Sequence, residues 1–120
     1  MPTFLYVTGI RGSAQDAAHL DWIEVEDVTW QTSQGEEPQI LGIDVRKAFD
    51  ATSGSFYQAC AAGRVFPAIV VDFVKESFRY LRYSGTGATV NGVRPGPRNE
   101  DGGTEIVSFT CEDFQVNDTI

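Results

Sequence analysis

The sequence predicts a mainly β fold, a small β-barrel of six to seven antiparallel strands with one short α-helix, and three observations predict it. Most of the chain is made of β-branched and aromatic runs punctuated by Gly, Pro and Asp, a composition that suits pleated strands separated by turns. From Ile40 to Ala48, the residues Leu41, Ile43 and Val45 alternate against Gly42, Asp44 and Arg46, the period of a strand buried on one face. Asp50 to Gly63 is the one segment that repeats apolar residues at helical spacing.

Taken in order, Phe4 to Ile10 reads as the first strand. Arg11 to Asp21 is polar and Ala-rich without apolar periodicity, so it reads as a long connecting loop, and loops of this length commonly carry function. Trp22 to Ser33 is the second strand. Ile23 and Val25 hold its apolar side first and Val28 and Trp30 hold it afterwards, so the parity switches once, as the extra residue of a β-bulge requires. Beyond the switch Asp27, Thr29 and Gln31 share the opposite, polar side. Gly35 to Pro38 makes a turn before the strand Ile40 to Ala48. In the helix, Ser53 is placed to cap the amino end and Gly63 to end the last turn. Phe66-Pro67 opens a strand that runs through Lys75. A short turn leads to Phe78 to Tyr83, and Thr89 to Val93 continues past a bend at Gly85 and Gly87. Arg94 to Thr104 carries Pro95-Gly96-Pro97 and Gly102-Gly103, which is turn chemistry, and Glu105 to Val116 is the last strand. Trp22, Trp30, Phe56 and Phe66 are the expected core anchors. No internal repeat or linker divides the chain, so residues 1–120 are expected to form one domain.

At 120 residues such a domain buries roughly two-thirds of the surface of its unfolded chain. An apolar share of 42% matches a folded globular protein rather than a disordered one. Nine Lys and Arg against 17 Asp and Glu give a net charge of −8, and that field repels phosphate backbones and anionic lipid heads. Nucleic acid is therefore not expected as a partner. Met1 to Ile10 has neither the positive start nor the small-residue cleavage site of a signal peptide. No run approaches the roughly 18 apolar residues of a membrane helix, so no membrane insertion is expected. Cys60 and Cys111 lie far apart in sequence, without a Cys-x-x-Cys pair, and read as reduced and buried; a disulfide between them requires Cα atoms within about 7 Å.

The search for chemistry ends without a catalytic, cofactor or metal site. His19 is the only histidine, so any triad or imidazole base has to use it, and neither cysteine sits in a nucleophile context. Asp16, His19, Asp21 and Glu24 can be drawn as a metal cluster, yet they run from a loop into a strand without a recurrent ligand spacing. A solvated polar loop explains them better, with His19 tuning contacts between subunits through its titration near physiological pH. Asp44, Asp72 and Asp113 lie in strands, where an outward-facing charge also guards an edge against wrong pairing. The glycines at Gly85, Gly87 and Gly92 lack the Lys-Ser or Lys-Thr of a phosphate loop.

Two stretches resemble a known family. Ile10-Arg11-Gly12-Ser13, with Asp16, His19 and Trp22-Ile23-Glu24-Val25, are similar to the first loop and second strand of the haemolysin-coregulated protein family, the tube subunit of type VI secretion. Asp50-Ala51-Thr52-Ser53, then Gln58-Ala59-Cys60-Ala61-Ala62-Gly63-Arg64 and Phe66-Pro67, resemble that family's helix and its exit. The sequence departs from the pattern at Gly54, where a proline often follows the capping serine, and between Ser84 and Thr104.

The resemblance implies a non-enzymatic structural subunit that forms a homo-hexamer, a ring with a wide hole, stacked into a tube that a contractile sheath drives into a target cell. A spike protein, the sheath and small effector cargo are the implied partners. The implied location is the bacterial cytoplasm before assembly and the extracellular space or target cell afterwards. Thr29 corresponds to a polar site facing the lumen, which puts Asp27 and Gln31 on the lumen side with it. Arg11, Ser13, Asp16, His19 and Asp21 then belong to the loop that touches the next ring. A tail-tube subunit of a phage-like particle shares these expectations, and a monomeric ligand-binding barrel is the rival from a different class, marked by a cavity.

Overall fold

The structure is a computed structural model that describes residues 3–32, 40–75, 78–96, 98 and 102–118. The turn expected at Gly35 to Pro38 lies outside the described residues, as do residues 76–77 of the next turn. The described elements run β1 Thr3–Val7, β2 Ile23–Val25, β3 Asp27–Thr32, β4 Ile40–Ala48, α1 Ser53–Ala62, β5 Val65–Lys75, β6 Phe78–Pro95, β7 Thr104–Thr110 and β8 Asp113–Asp118. The fold is mainly β, with eight strands paired antiparallel in one sheet.

The order across the sheet is β2-β1-β5-β6-β7-β4-β3, with β8 pairing β6 off that path. Eight strands replace the expected six to seven, because two of the expected strands are each broken. The strand read from Trp22 breaks at Glu26, which separates β2 from β3, and its amide donates to Arg46 O at 2.8 Å. This is the residue that moves the buried positions from Ile23 and Val25 to Val28. The strand read from Glu105 breaks at Cys111 and Glu112, so that β7 runs beside Thr89–Pro95 and β8 beside Leu81–Thr86 of the same long β6. β6 itself continues through the glycines expected to bend it. There Gly87 takes a φ of 59°, a conformation that glycine adopts at little cost.

Among the described residues the sheet is not closed into a barrel by strand pairing. Its terminal strands β2 and β3 are nevertheless consecutive in the chain, separated by Glu26 alone, so the sheet curls until its two ends meet at a corner. Inside the curl lies the core, with Leu5, Val45, Phe56, Phe66, Val107 and Phe109 at or below 1% exposure. Helix α1 plugs it through Phe56 and Ala59, and the Phe56 ring meets Phe109 edge-on at 5.9 Å. Fully burying an aromatic or branched side chain contributes about 1.5–3 kcal/mol, so this cluster dominates the stability of the sheet.

The helix begins one residue earlier than the sequence suggests, with Ser53 inside its first turn rather than at the cap. Thr52 occupies the cap position and makes no side-chain cap bond. Ser53 Oγ instead accepts the Asp50 amide at 3.0 Å and donates to Glu105 Oε2. Gly63 ends the helix with a φ of 64°. Phe56 and Phe66 are at 0% exposure. Trp30, expected in the core, keeps 41% of its surface exposed, because β3 ends the strand path among the described residues, with the Tyr83 ring at 4.8 Å and the Phe73 ring at 6.4 Å on its covered side. Trp22 is half-buried in a second, smaller cluster with Phe4, Ala14 and Val74.

Candidate functional site: a polar sheet face and a pinned loop

β3, β4, β6 and β7 alternate, so the side chains not in the core share one polar face. Thr29 and Asp27 are exposed there, while the side chain of Gln31 lies outside the described residues. A shallow cavity of about 480 Å³ runs along this face past Thr29, Asp44, Asn91, Ser108 and Thr110, and a smaller one of about 110 Å³ lies between Asp27, Arg46 and Arg94. The charges on the face are tied together. Ser108 Oγ donates to Asp44 Oδ1 at 2.6 Å and accepts from Arg94 at 3.2 Å, and the Arg94 guanidinium stands 3.6 Å from Asp44 Oδ2. Thr110 Oγ1 donates to Asn91 Oδ1 at 3.1 Å.

Residues 11–22 form the second feature, packed over the outer surface of β1 and β5. The loop closes on itself: the Gly12 amide donates to Asp21 O at 2.7 Å, Ala14 to Trp22 O at 2.9 Å and Asp21 to Ala14 O at 3.0 Å. Gly12 is required by this closure, since a Cβ there would collide with the Trp22 carbonyl oxygen. Arg11 and Asp21 pair at 2.9 Å on the exposed rim, and Ser13 and Asp16 are exposed beside them.

His19 is only 5% exposed, which corrects the expectation of a loop histidine offered to a neighbouring subunit. Its ring stacks on Phe4 at 4.4 Å and meets Trp22 edge-on at 4.7 Å. Nδ1 lies 2.6 Å from Asp16 Oδ2 and Nε2 lies 2.8 Å from Asp72 Oδ2. Carboxylates only accept, so both contacts are hydrogen bonds together when the imidazole carries both protons. The imidazole thus holds the loop onto the sheet.

Asp72, expected to point outward into solvent, is at 0% exposure beneath this loop. Arg82, its cross-strand partner, grips it with two bonds, Nε to Oδ1 at 2.5 Å and a terminal nitrogen to Oδ2 at 2.6 Å. Burial by itself pushes the Asp72 carboxyl up, but the hydrogen bonds from Arg82 and His19 outweigh it and hold the group below its ordinary value of 3.8. Sequence reasoning missed this pair. Its signal was an Asp and an Arg on strands whose pairing register the sequence does not reveal.

A second unforeseen group lies inside. Lys47 and Glu105, cross-strand partners on β4 and β7, are both at 0% exposure, with Lys47 Nζ 2.8 Å from Glu105 Oε2. Lys47 also donates to Asp50 Oδ1 and to Ala48 O, each at 3.0 Å. Among the described residues no group of three or more His, Cys, Asp or Glu is placed to hold a metal ion, and no helix is long and apolar enough to cross a membrane. Cys60 and Cys111 are free thiols packed against the core, and burial pushes Cys111 up to about 12.

The family model described as type VI secretion system effector, Hcp, matches residues 4–117. The chain belongs to that family. Hcp1 of Salmonella typhimurium has the same fold, with a TM-score of 0.88 at 24% identity over 99% of this chain and 87% of that one. A type VI secretion system effector of Yersinia pestis follows at 0.83 and 18% identity, covering 98% of this chain and 99% of its own. The secreted protein Hcp3 of Pseudomonas aeruginosa scores 0.75 at 14% identity, over 99% and 98%. No curated protein matches the sequence. The family match covers the loop, the helix and the strands that carry both features above, and at these identities the structural likeness speaks for the fold.

Proposed function

We propose that this Hcp-family chain is a structural subunit of a type VI secretion tube: residues 1–120 act as one domain, six copies close into a ring, and rings stack into a tube that carries effector cargo. The observation that carries this reading is the open sheet. Among the described residues β2 and β3 end its path and β8 pairs β6 alone, so each presents a row of backbone groups on one side that a neighbour can satisfy. Different borders on one molecule make a head-to-tail contact, and such contacts close into rings when the rotation permits.

In this arrangement the polar face of Asp27, Thr29 and Gln31 lines the lumen and stays wet, while the loop bearing Arg11, Ser13, Asp16 and Asp21 meets the next ring, held in shape from behind by His19. Spike and sheath engage the ends and the outside of the tube. The subunit is made in the bacterial cytoplasm and leaves the cell with the tube. The family match over residues 4–117 favours a secretion tube over a phage tail tube. Negative-stain electron microscopy of the purified protein tests the reading and is expected to show annular particles with an open centre. A compact monomer in sedimentation at high concentration, with no annular particles, overturns it.

A further inference from the structure

The loop of residues 11–22 is held at two places by different means. Its neck is closed by backbone bonds, with Gly12 and Ala14 donating to Asp21 O and Trp22 O and Asp21 returning a bond to Ala14 O. Its tip, Asp16 to His19, is gathered by Asp16. There Oδ2 accepts from His19 Nδ1 at 2.6 Å and from the Ala18 amide at 3.2 Å, while the His19 amide donates to Asp16 O at 3.0 Å. The His19 ring carries the tip onto the sheet through Nε2, 2.8 Å from Asp72 Oδ2. Those two carboxylates are not equivalent. Asp72 is at 0% exposure and already takes two bonds from Arg82, so water cannot replace the imidazole there. Asp16 keeps 44% of its side chain exposed and can turn to solvent.

We infer that His19 is a pH-operated latch: loss of one imidazole proton frees the loop tip, residues 16–18, while the neck and the sheet stay in place. A neutral imidazole has one N–H and one lone pair, so it donates to one carboxylate only. The proton stays at Nε2, because the loss of a charge-assisted bond at a buried acceptor is not offset by hydration. Nδ1 then faces Asp16 as acceptor against acceptor, and the tip is released. Among the described residues the charged groups facing the ring are Asp16 in its own loop, Asp72 on β5 and, behind Asp72, Arg82 on β6. β1 presents the uncharged Phe4 ring, and β2 places the exposed Glu24 beside Phe4 in the register. The sign follows: the latch is closed at low pH and opens as pH rises through the His19 titration. The inference deepens the tube reading, in which this tip belongs to the surface that meets the next ring, and it makes stacking weaken with rising pH.

The test is NMR relaxation on the full chain, labelled with 15N, between about pH 5 and about pH 9, a span that contains the ordinary titration of histidine. The ring nitrogens of His19 report the proton, and backbone order parameters at Asp16, Ala17 and Ala18 report the tip. Those order parameters are expected to fall from about 0.85 to below about 0.6 in step with the ring titration, while Gly12, Ala14 and Asp21 stay rigid. In Asp16→Asn the side-chain amide accepts from the imidazolium and donates to the neutral Nδ1, so the tip is expected to stay ordered throughout. This rim substitution leaves the buried Asp72–Arg82 pair intact, so the variant is expected to fold. A wild-type tip whose order is unchanged as His19 titrates overturns the inference. So does an imidazole that keeps both protons until the chain unfolds, or an Asp16→Asn tip that loosens as the wild type does. The readout belongs to each chain and is obtained with or without rings; a lack of annular particles in the same samples overturns the tube reading and leaves the latch standing.

Discussion

Replacing Lys47 by Met tests the buried ion pair. Lys47 Nζ is the only cation within 4 Å of Glu105 among the described residues, and Glu105 Oε1 has no hydrogen-bond partner there. With the ammonium gone, the carboxylate stays buried with only the Ser53 hydroxyl to satisfy it. Breaking a buried pair from one side costs roughly 3–5 kcal/mol. At about 4 °C per kcal/mol for a domain of this size, that corresponds to a fall of about 12–20 °C in melting temperature. Glu105→Leu is expected to cost less, because Lys47 keeps Asp50 Oδ1 and Ala48 O at 3.0 Å. The double variant Lys47→Met with Glu105→Leu removes both charges and is expected to melt within about 1.5 kcal/mol of wild type, or above it. Circular-dichroism melts at one fixed protein concentration measure all three. A Lys47→Met melt within about 2 °C of wild type would refute the reasoning, as would a double variant no better than the worse single one.

Phe66→Ala empties a fully buried site and is expected to cost about 3–5 kcal/mol, whereas Trp30→Ala, at a ring already 41% exposed, should cost roughly 1–2; urea unfolding that reverses this order contradicts the assigned core. Asp72 is held below its ordinary 3.8, so its stabilising contribution is complete above that value and is lost as pH falls through the lowered folded value. Wild type is thus expected to outlast Asp72→Asn at neutral pH, with the gap between the two unfolding curves narrowing as the pH falls below the ordinary value of 3.8, and a gap that stays constant through the acid range would exclude this. Gly12→Ala drives a Cβ into the Trp22 carbonyl and should speed amide hydrogen exchange at Ala14 and Asp21 while leaving the core slow; unchanged exchange there would show that the loop closure is not tight.

The strands were legible because one face of each is buried. Alternation in Ile40–Ala48 and the parity switch near Glu26 are both direct consequences of that burial, and β4, β2 and β3 fall where those patterns put them. Strand ends and counts were less legible. Nothing in the composition around Cys111-Glu112 distinguishes a continuous strand from the break that sends β7 and β8 to different halves of β6. Lys47 and Glu105 illustrate the deeper limit. Each occupies the inward parity of its strand, after Ile43 and Val45 in one case and before Val107 and Phe109 in the other, so each could be flagged as a charge at a core position. That the two flags answer each other depends on β4 lying beside β7 in one register, which is tertiary information.

The same limit governed the loop. The polar sequence neighbours of His19 suggest a surface histidine, yet its environment comes from Phe4 and Asp72, 15 and 53 residues away in the chain. A buried polar cluster of this kind fixes geometry more than it adds stability, because bidentate Arg82–Asp72 bonding and two imidazole contacts are satisfied in one arrangement only. That is the property a contact loop needs. A segment that meets a neighbouring ring must present the same surface in every subunit, and a polar loop with few apolar anchors cannot obtain that order from hydrophobic burial. The histidine therefore serves the proposed stacking surface from behind, by making the exposed Arg11, Ser13, Asp16 and Asp21 a defined shape.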